Sequence, residues 1–349
     1  MNRKGRPRIE PSAVKKILLI RLRRIGDIIL TTPALSVLRE NFPDAHLSYV
    51  VESPYQDLVR NHPDLDQTVV IPEKTGSRDF LRLIRYLRKE KYDVVLDFHC
   101  GPRASLITFL SGAKTKIGYK IKYRNFVYDA ILPRSPQNGY YHSVESHLNL
   151  VKALGASVKT LPPLSLPRAK KEEKEKIKKI REQNSLVGCK VVVLHISAGN
   201  EFRSWGVGNL VGLAKLLSRH RDVKIVLIGA EEDRKAEQEI LRENPAELSS
   251  LVGKLNLREL RELILGSSLF VGPDSGPMHM AASTSTPMVV YFGPTLPANF
   301  SPWQAEASVI EKEFDCRPCP QKRCVHHDFR CLRSIKPEEV YQACLSYIE

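Results

Sequence analysis

The sequence predicts an α/β protein of two doubly wound domains that face a central cleft. Apolar, strand-like runs alternate with helical patterns along most of the 349 residues, as expected for parallel sheets covered by helices. The alternation stops once, at residues 161–184, where prolines and then Lys/Glu pairs replace the buried runs. A chain of this length accommodates two domains of ordinary size, so we expect a domain boundary there.

The first domain is predicted to span residues 16–167. Its helices are indicated by apolar residues that recur on one face, as at Phe80, Leu83 and Leu87, and the last one should stop at Gly155. The predicted strands are residues 16–22, 46–51, 68–71 and 92–99, and the predicted helices are residues 28–39, 54–61, 79–90, 103–110 and 141–154.

The second domain is predicted at residues 185–335, after a linker and charged helix at 168–184. The same alternation returns there, and residues 336–349 add a C-terminal helix. The predicted strands are residues 191–196, 224–229, 269–271 and 287–292, and the predicted helices are residues 169–183, 207–219, 231–244, 257–265, 278–283 and 338–347.

Positive charge is concentrated at the N-terminus. The chain carries a net charge of +15, and residues 1–24 hold nine Lys or Arg against one acid, Glu10. Such a basic arm, assigned to residues 1–15, suits an anionic membrane surface or a nucleic acid; a solvated tail is the alternative. We expect a cytoplasmic protein, because arginines interrupt the only early apolar run and no apolar run reaches 18 residues.

The turn at Asp274, Ser275 and Gly276 is the most informative segment. It lies between two apolar strands and precedes a helix of small residues. Cap residues, a hydroxyl and bare backbone N–H groups at a helix N-terminus can hold a phosphate, and open α/β sheets bind ligands at such turns. The alternative is an Asp-capped helix in an ordinary βαβ unit.

A second polar turn follows the first strand, at Gly26 and Asp27. The glycine permits a tight turn into the helix, and a carboxylate there could accept a proton from a sugar hydroxyl. Asp27 could equally be a helix N-cap. No G-x-G-x-x-G follows this strand, which disfavours a dinucleotide oxidoreductase.

Four segments, at residues 17–52, 92–119, 194–217 and 269–295, resemble glycosyltransferase family 9, the ADP-heptose:lipopolysaccharide heptosyltransferases. The resemblance covers roughly residues 16–349 in the expected order. It implies a GT-B architecture of two Rossmann-like domains and a metal-independent, inverting transfer that needs no cofactor. It also implies an ADP-sugar held by the C-terminal domain and a lipid-anchored oligosaccharide acceptor on the N-terminal one.

The resemblance assigns site residues as well. Asp27 matches the proposed general base. The nucleotide-sugar site would comprise Ser197, Arg203, Asp274, Ser275, Gly276 and His279, with Arg203 against the phosphates. Glu232, one of three acids after a predicted strand, is our candidate for the ribose hydroxyls, and a negatively charged first helical turn is the alternative.

Three residues are assigned to the acceptor side: Gly26, His99 and Arg103. Ordinary loop roles are an equal alternative for His99 and Arg103. His195, inside a buried strand, is expected to be a core histidine.

Cys316, Cys319, Cys324 and Cys331 have the spacing C-x2-C-x4-C-x6-C. Four thiolates can bind a structural zinc ion, and reduced thiols packed in a loop are the alternative.

The leading hypothesis is therefore an inverting transferase that moves a heptose or related sugar from an ADP donor to a lipopolysaccharide core, at the inner face of the cytoplasmic membrane. A nucleotide-sugar epimerase of the same fold is the first alternative. A basic nucleic-acid-binding protein is the second, although no nucleic-acid motif is present and no nucleic-acid partner is expected.

Overall fold

The computed structural model describes residues 13–136, 139–243 and 248–349. It divides into two compact units, the first ending at Pro167 and the second beginning at Arg168. Most of the predicted basic arm, residues 1–12, lies outside the described residues. Among the described residues, no helix is both long and apolar enough to cross a membrane.

The described part of the first unit contains a sheet of six parallel strands in the order β3-β2-β1-β4-β5-β6. The strands are β1 (Lys16–Ile20), β2 (His46–Glu52), β3 (Gln67–Ile71), β4 (Val94–Asp97), β5 (Thr115–Tyr119) and β6 (Ala130–Leu132). The helices between them are α1 (Ile25–Ile29), α2 (Thr32–Asn41), α3 (Ser77–Glu90), α4 (Pro102–Leu110) and α5 (Ser143–Ala153).

The second unit repeats this plan in its described residues, with six parallel strands in the order β12-β11-β10-β7-β8-β9. The strands are β7 (Lys190–His195), β8 (Val223–Ile228), β9 (Leu248–Ser250), β10 (Leu269–Pro273), β11 (Met288–Phe292) and β12 (Ala307–Glu311). The helices are α6 (Lys171–Gln183), α7 (Val207–Leu217), α8 (Arg234–Glu243), α9 (Leu257–Leu265), α10 (Gly276–Ala281), α11 (Pro297–Phe300), α12 (Arg330–Arg333) and α13 (Pro337–Ile348).

The two sheets confirm the predicted α/β class with two Rossmann-like domains. Each central strand is buried on both faces, as the apolar run Ile17–Ile20 predicts. Burying a side chain of this size contributes about 1.5–3 kcal/mol, so the strands β1 and β7 anchor their units. Helix α6 belongs to the second unit, where Lys176 forms an ion pair with Glu259 of α9 at 2.9 Å.

Trp205 fixes the helical layer over the second sheet. Its indole is buried and lies 4.6 Å from the ring of Tyr291 in β11, centroid to centroid. Its Nε1–H donates to the carbonyl of Ile335 at 2.9 Å, just before α13. The residue therefore joins the strand, the segment before α7 and the C-terminal helix in one core cluster.

Candidate functional site

The polar turns singled out in the sequence occupy equivalent places in the two units. In each sheet the strand order reverses direction beside the first strand, between β1 and β4 and between β7 and β10. The carboxyl ends of strands at such a switch point form the usual ligand crevice of an open α/β sheet. Asp27 and His99 follow β1 and β4, while Ser197 and Asp274 follow β7 and β10.

Asp27 is held by an ion pair with Arg21. Arg21 Nη2 lies 2.5 Å from Asp27 Oδ2, with the side chain of Arg21 9% exposed and that of Asp27 32% exposed. Arg21 Nη1 also donates to the carbonyl of Phe98 at 2.9 Å, so the guanidinium bridges the ends of β1 and β4. The carboxylate is thus fixed at the switch point while remaining open to solvent.

Asp27 is not a helix cap, and this corrects the alternative reading of the turn. Helix α1 begins at Ile25, before the predicted start at residue 28, and its N-cap is Arg24. Asp27 is the third residue of the helix. Arg24 also takes the positive φ of the turn, 72°, whereas the sequence suggested that Gly26 would supply the tight turn.

His99 borders the same carboxylate and is a neutral imidazole. Burial, reinforced by the positive charges of Arg21 and Arg23, lowers the pKa of His99 to about 4. Its Nδ1 is buried and has no hydrogen-bond partner within the described chain. Gly101 is packed against the ring, since a Cβ there would lie 2.7 Å from His99 Cδ2.

Three arginines hold the turn that carries His99. They donate to three consecutive backbone carbonyls: Arg21 to residue 98 at 2.9 Å, Arg134 to residue 99 at 3.0 Å and Arg124 to residue 100 at 3.3 Å. The first unit's switch point is therefore strongly basic, and Asp27 contacts one of these arginines, Arg21. These three arginines were not among the predicted site residues.

Arg103 joins two segments of the first unit, and its assignment to the acceptor side stays a prediction. Arg103 Nη1 contacts Glu52 Oε1 at 2.8 Å and the carbonyl of Glu73 at 2.8 Å. Its Nη2 donates to the carbonyl of Pro72 and to Thr75 Oγ1. The guanidinium thereby ties the loop after β3 to the end of β2.

In the second unit, Ser275 is the N-cap of α10, in place of the aspartate considered above. Its Oγ accepts from the N–H of Met278 at 3.3 Å and lies 3.1 Å from Nδ1 of His195. Burial lowers the pKa of His195 to about 3, so this histidine is a neutral core residue. The contact links the ends of β7 and β10.

Asp274 is the centre of a buried polar cluster. Thr295 Oγ1 donates to Asp274 Oδ2 at 2.6 Å, and Arg203 Nη1 lies 3.4 Å from the same oxygen. His279 Nε2 lies 3.9 Å from Oδ1. Arg203 is oriented further by its Nε–H, which donates to Gln321 at 3.2 Å. The structure thus brings Asp274, Ser275, His279 and Arg203 together and adds Thr295, which the sequence did not indicate.

The three acids after β8 have different environments. Asp233 accepts from Ser197 Oγ at 2.7 Å and from the N–H of Ala230 at 2.7 Å, so it caps the following turn. Glu231 pairs with Arg234 at 3.0 Å. Glu232 is exposed, and its assignment to the ribose stays a prediction. Ser197 is joined to this turn rather than to the Asp274 cluster.

The four late cysteines are free thiols in one neighbourhood. Burial raises the pKa of Cys331 to about 11, and the nearby Cys316 is the second cause in the same direction. The backbone N–H of Gln321 donates to Cys319 Sγ at 3.4 Å, and backbone N–H groups, that of Phe329 foremost, lower the pKa of Cys324. Within the described residues, no three His, Cys, Asp or Glu side chains come together as a metal site.

Comparison with known proteins identifies the family of the chain. Residues 80–329 match glycosyltransferase family 9 (heptosyltransferase). The chain is 28% identical over 333 residues to lipooligosaccharide heptosyltransferase 2 of Campylobacter jejuni, covering 91% of this chain and 93% of the relative. It is 27% identical over 299 residues to lipopolysaccharide heptosyltransferase 3 of Escherichia coli, covering 81% and 84%. A solved family 9 glycosyltransferase from Veillonella parvula superimposes with a TM-score of 0.83 at 23% identity, covering 96% of this chain and 97% of that one.

Proposed function

The chain belongs to glycosyltransferase family 9, and from that premise we propose that it transfers a heptose, or a related sugar, from an ADP-activated donor to a lipopolysaccharide core or similar lipid-anchored oligosaccharide. The relatives that cover most of the chain are heptosyltransferases of lipopolysaccharide or lipooligosaccharide. The observation that carries the chemical part of the proposal is the solvent-open carboxylate of Asp27 at the first switch point.

Asp27 would act as the general base. Its Oδ2 is fixed by Arg21, and a carboxylate oxygen accepts the proton of the acceptor hydroxyl as that oxygen attacks the anomeric carbon. The bond from the anomeric carbon to the ADP oxygen breaks, ADP leaves with its electron pair, and the configuration inverts. His99 and Gly26 lie beside this carboxylate and would contact the acceptor sugar.

The second unit would hold the donor. Arg203 presents a guanidinium beside the start of α10, where backbone N–H groups and a helix N-terminus favour phosphate oxygens. The negative charge that develops on the departing ADP would be stabilised there, and such electrostatic stabilisation is usually the largest contribution to catalysis. Asp274 and Thr295 would fix Arg203 and the turn, while Ser275, Gly276 and His279 border the diphosphate and sugar. Ser197 and Glu232 would complete the nucleotide site.

The decisive experiment is reconstitution with purified components. The chain should release ADP from ADP-heptose only when a heptose-accepting core oligosaccharide is present, and mass spectrometry should find one heptose added. Donors with UDP or GDP in place of ADP serve as controls for the nucleotide. Donor turnover that is unchanged by omitting the acceptor would refute transfer and restore the epimerase alternative. We expect the reaction to persist in a metal chelator.

The family assignment leaves the two alternatives without support. An epimerase converts its donor without an acceptor, whereas family 9 enzymes are transferases. A nucleic-acid-binding role had rested on the basic arm, and the same charge suits the anionic surface where a lipid-anchored acceptor resides. Sugar composition of lipopolysaccharide from a deletion strain would identify the missing sugar and its position.

We place the enzyme in the cytoplasm, on the inner face of the membrane, with the arm as one attachment. Each Lys or Arg near an anionic surface contributes about 1 kcal/mol, so several together can hold the enzyme near its acceptor. Deleting residues 1–13 should weaken sedimentation with anionic vesicles and spare transfer to a delipidated acceptor. Unchanged sedimentation would contradict this role.

We also propose a structural zinc ion at the four late cysteines, which would have to draw their side chains together, because no three of them form a metal site among the described residues. Thiolates are preferred zinc ligands, and the backbone N–H of Gln321 already donates to Cys319 Sγ. Metal analysis should find about one zinc per chain and a large loss in Cys319→Ser, with half-buried Cys189→Ser as control. Equal trace zinc in all three proteins would refute the site.

A further inference from the structure

Helix α4 exposes large apolar side chains on its outward face. Its inward face buries Ala104 and Ile107 together with two polar side chains: Ser105 Oγ lies 2.9 Å from the hydroxyl of Tyr128, and Thr108 Oγ1 donates to Asp97 at 3.1 Å. Its outward face carries Leu106, 47% exposed, and Phe109, 51% exposed. A helix on a soluble domain usually presents polar residues to water, so this face is built for an apolar environment.

The loop after β5 extends the same surface. Phe126 is 76% exposed, and its ring stands edge-on to Phe109 at 6.1 Å between centroids. Tyr123 is 81% exposed, and its ring lies 4.9 Å from Lys122 Nζ. We call Leu106, Phe109, Tyr123 and Phe126 the aromatic patch.

The segment that carries the aromatic patch is rich in positive charge. Residues 98–128 contain six Lys or Arg and no Asp or Glu. Three of the six, Lys120, Lys122 and Arg124, lie in the loop that carries Tyr123 and Phe126. Exposed aromatic rings interleaved with lysine and arginine are the composition of a membrane-interface anchor, because the rings enter the headgroup region while the cations meet anionic lipid.

We propose that the aromatic patch docks the first unit on an anionic lipid bilayer. This inference rests on the proposed function, since a lipid-anchored acceptor gives the enzyme a reason to bind a bilayer. It differs from attachment through the arm, because the patch belongs to the folded unit and combines apolar insertion with charge. A second copy of the chain or a protein partner would need matching acidic groups, whereas phosphatidylglycerol supplies that charge directly.

The test measures sedimentation of the full chain with phosphatidylcholine vesicles containing about 30 mol % phosphatidylglycerol. The double variant Phe109→Ser/Phe126→Ser should bind about tenfold more weakly. At about 1 M salt, where charge attraction is screened, wild-type binding should persist in part and the double variant should show none. Lys122→Gln should lose about fivefold at low salt only.

Matched controls come from the second unit. Val187→Ser removes an apolar side chain that is 65% exposed, and Lys235→Gln removes an exposed cation; both should bind as wild type. The single variant Phe126→Ser, which changes the more exposed ring, tests the inference if the double variant fails to fold. Thermal unfolding shows whether each protein is folded.

Binding by the double variant that equals wild type would overturn the inference. So would a concentration-dependent dimer that the double variant abolishes while vesicle binding is unchanged. Because sedimentation needs neither donor nor acceptor, vesicle binding through the patch by a chain that releases no ADP would refute the proposed function alone. Transfer to a delipidated acceptor should be equal in wild type and double variant, and only transfer to vesicle-embedded acceptor should fall.

Discussion

Replacing Asp27 by Asn separates a chemical role from a structural one. Asparagine retains the shape and can still accept a hydrogen bond from Arg21, but it cannot take a proton from the acceptor hydroxyl. If Asp27 is the general base, turnover should fall by about 10²–10⁴-fold, the usual worth of positioned acid–base catalysis.

The structure sets the stability cost of the same change. Removing one partner of a fully buried ion pair costs about 3–5 kcal/mol, but Asp27 is one-third exposed, so we expect about 1–2 kcal/mol. The free energy of unfolding of a typical protein is about 5–15 kcal/mol. The variant should therefore stay folded, and a hundredfold loss of turnover cannot come from unfolding.

The assay is ADP release with saturating donor and acceptor, together with urea unfolding and calorimetric ADP titration. Asp44→Asn, at an exposed carboxylate in the loop before β2, is the matched control and should be indistinguishable from wild type. ADP affinity should be unchanged in both. Turnover of Asp27→Asn within about threefold of wild type, far short of the acid–base range, would refute the catalytic assignment.

Three further predictions concern the surrounding residues. Arg203→Ala should weaken ADP binding by about 1.5–3 kcal/mol, the worth of a charge-assisted contact; an unchanged calorimetric affinity would exclude its phosphate role. The pKa of His195 is lowered to about 3, so stability should fall as pH drops from about 6.5 towards 3, because the unfolded chain gains the proton first. His195→Gln should reduce that slope by up to about 1.4 kcal/mol per pH unit in urea titrations, and an unaltered slope would contradict the assignment. Arg103→Met should lower the free energy of unfolding by about 2–4 kcal/mol, because it leaves buried Glu52 unpaired, and it should leave the KM for the acceptor unchanged. A raised KM with normal stability would instead support a role for Arg103 on the acceptor side.

Much of the fold could be predicted from the sequence because central parallel strands are continuous apolar runs. Ile17–Ile20 and the strand before Asp274 are such runs. Strands β5 and β12 were not predicted, since Thr115-Lys116 and Glu311 interrupt their apolar character. Each lies away from the centre of its sheet, where half-exposed positions tolerate polar residues.

The candidate sites were predicted only where the functional residues are local in sequence. The Asp274–His279 turn could be read directly, because its cap, glycine and histidine are consecutive or one turn apart. Arg21 could not, since its partner carbonyl at Phe98 is 77 residues away and an arginine at a strand end normally indicates exposure. Thr295, which donates to Asp274 from 21 residues downstream, carries no local signal either.

The position of Trp205 gives the protein a built-in optical reporter. Both tryptophans, at residues 205 and 303, belong to the second unit, so indole fluorescence follows that unit alone while circular dichroism follows both. A protein of two units need not unfold in one step. Transitions that differ between the two signals would measure how independently the second unit unfolds, and coincident transitions would show that the two units unfold cooperatively.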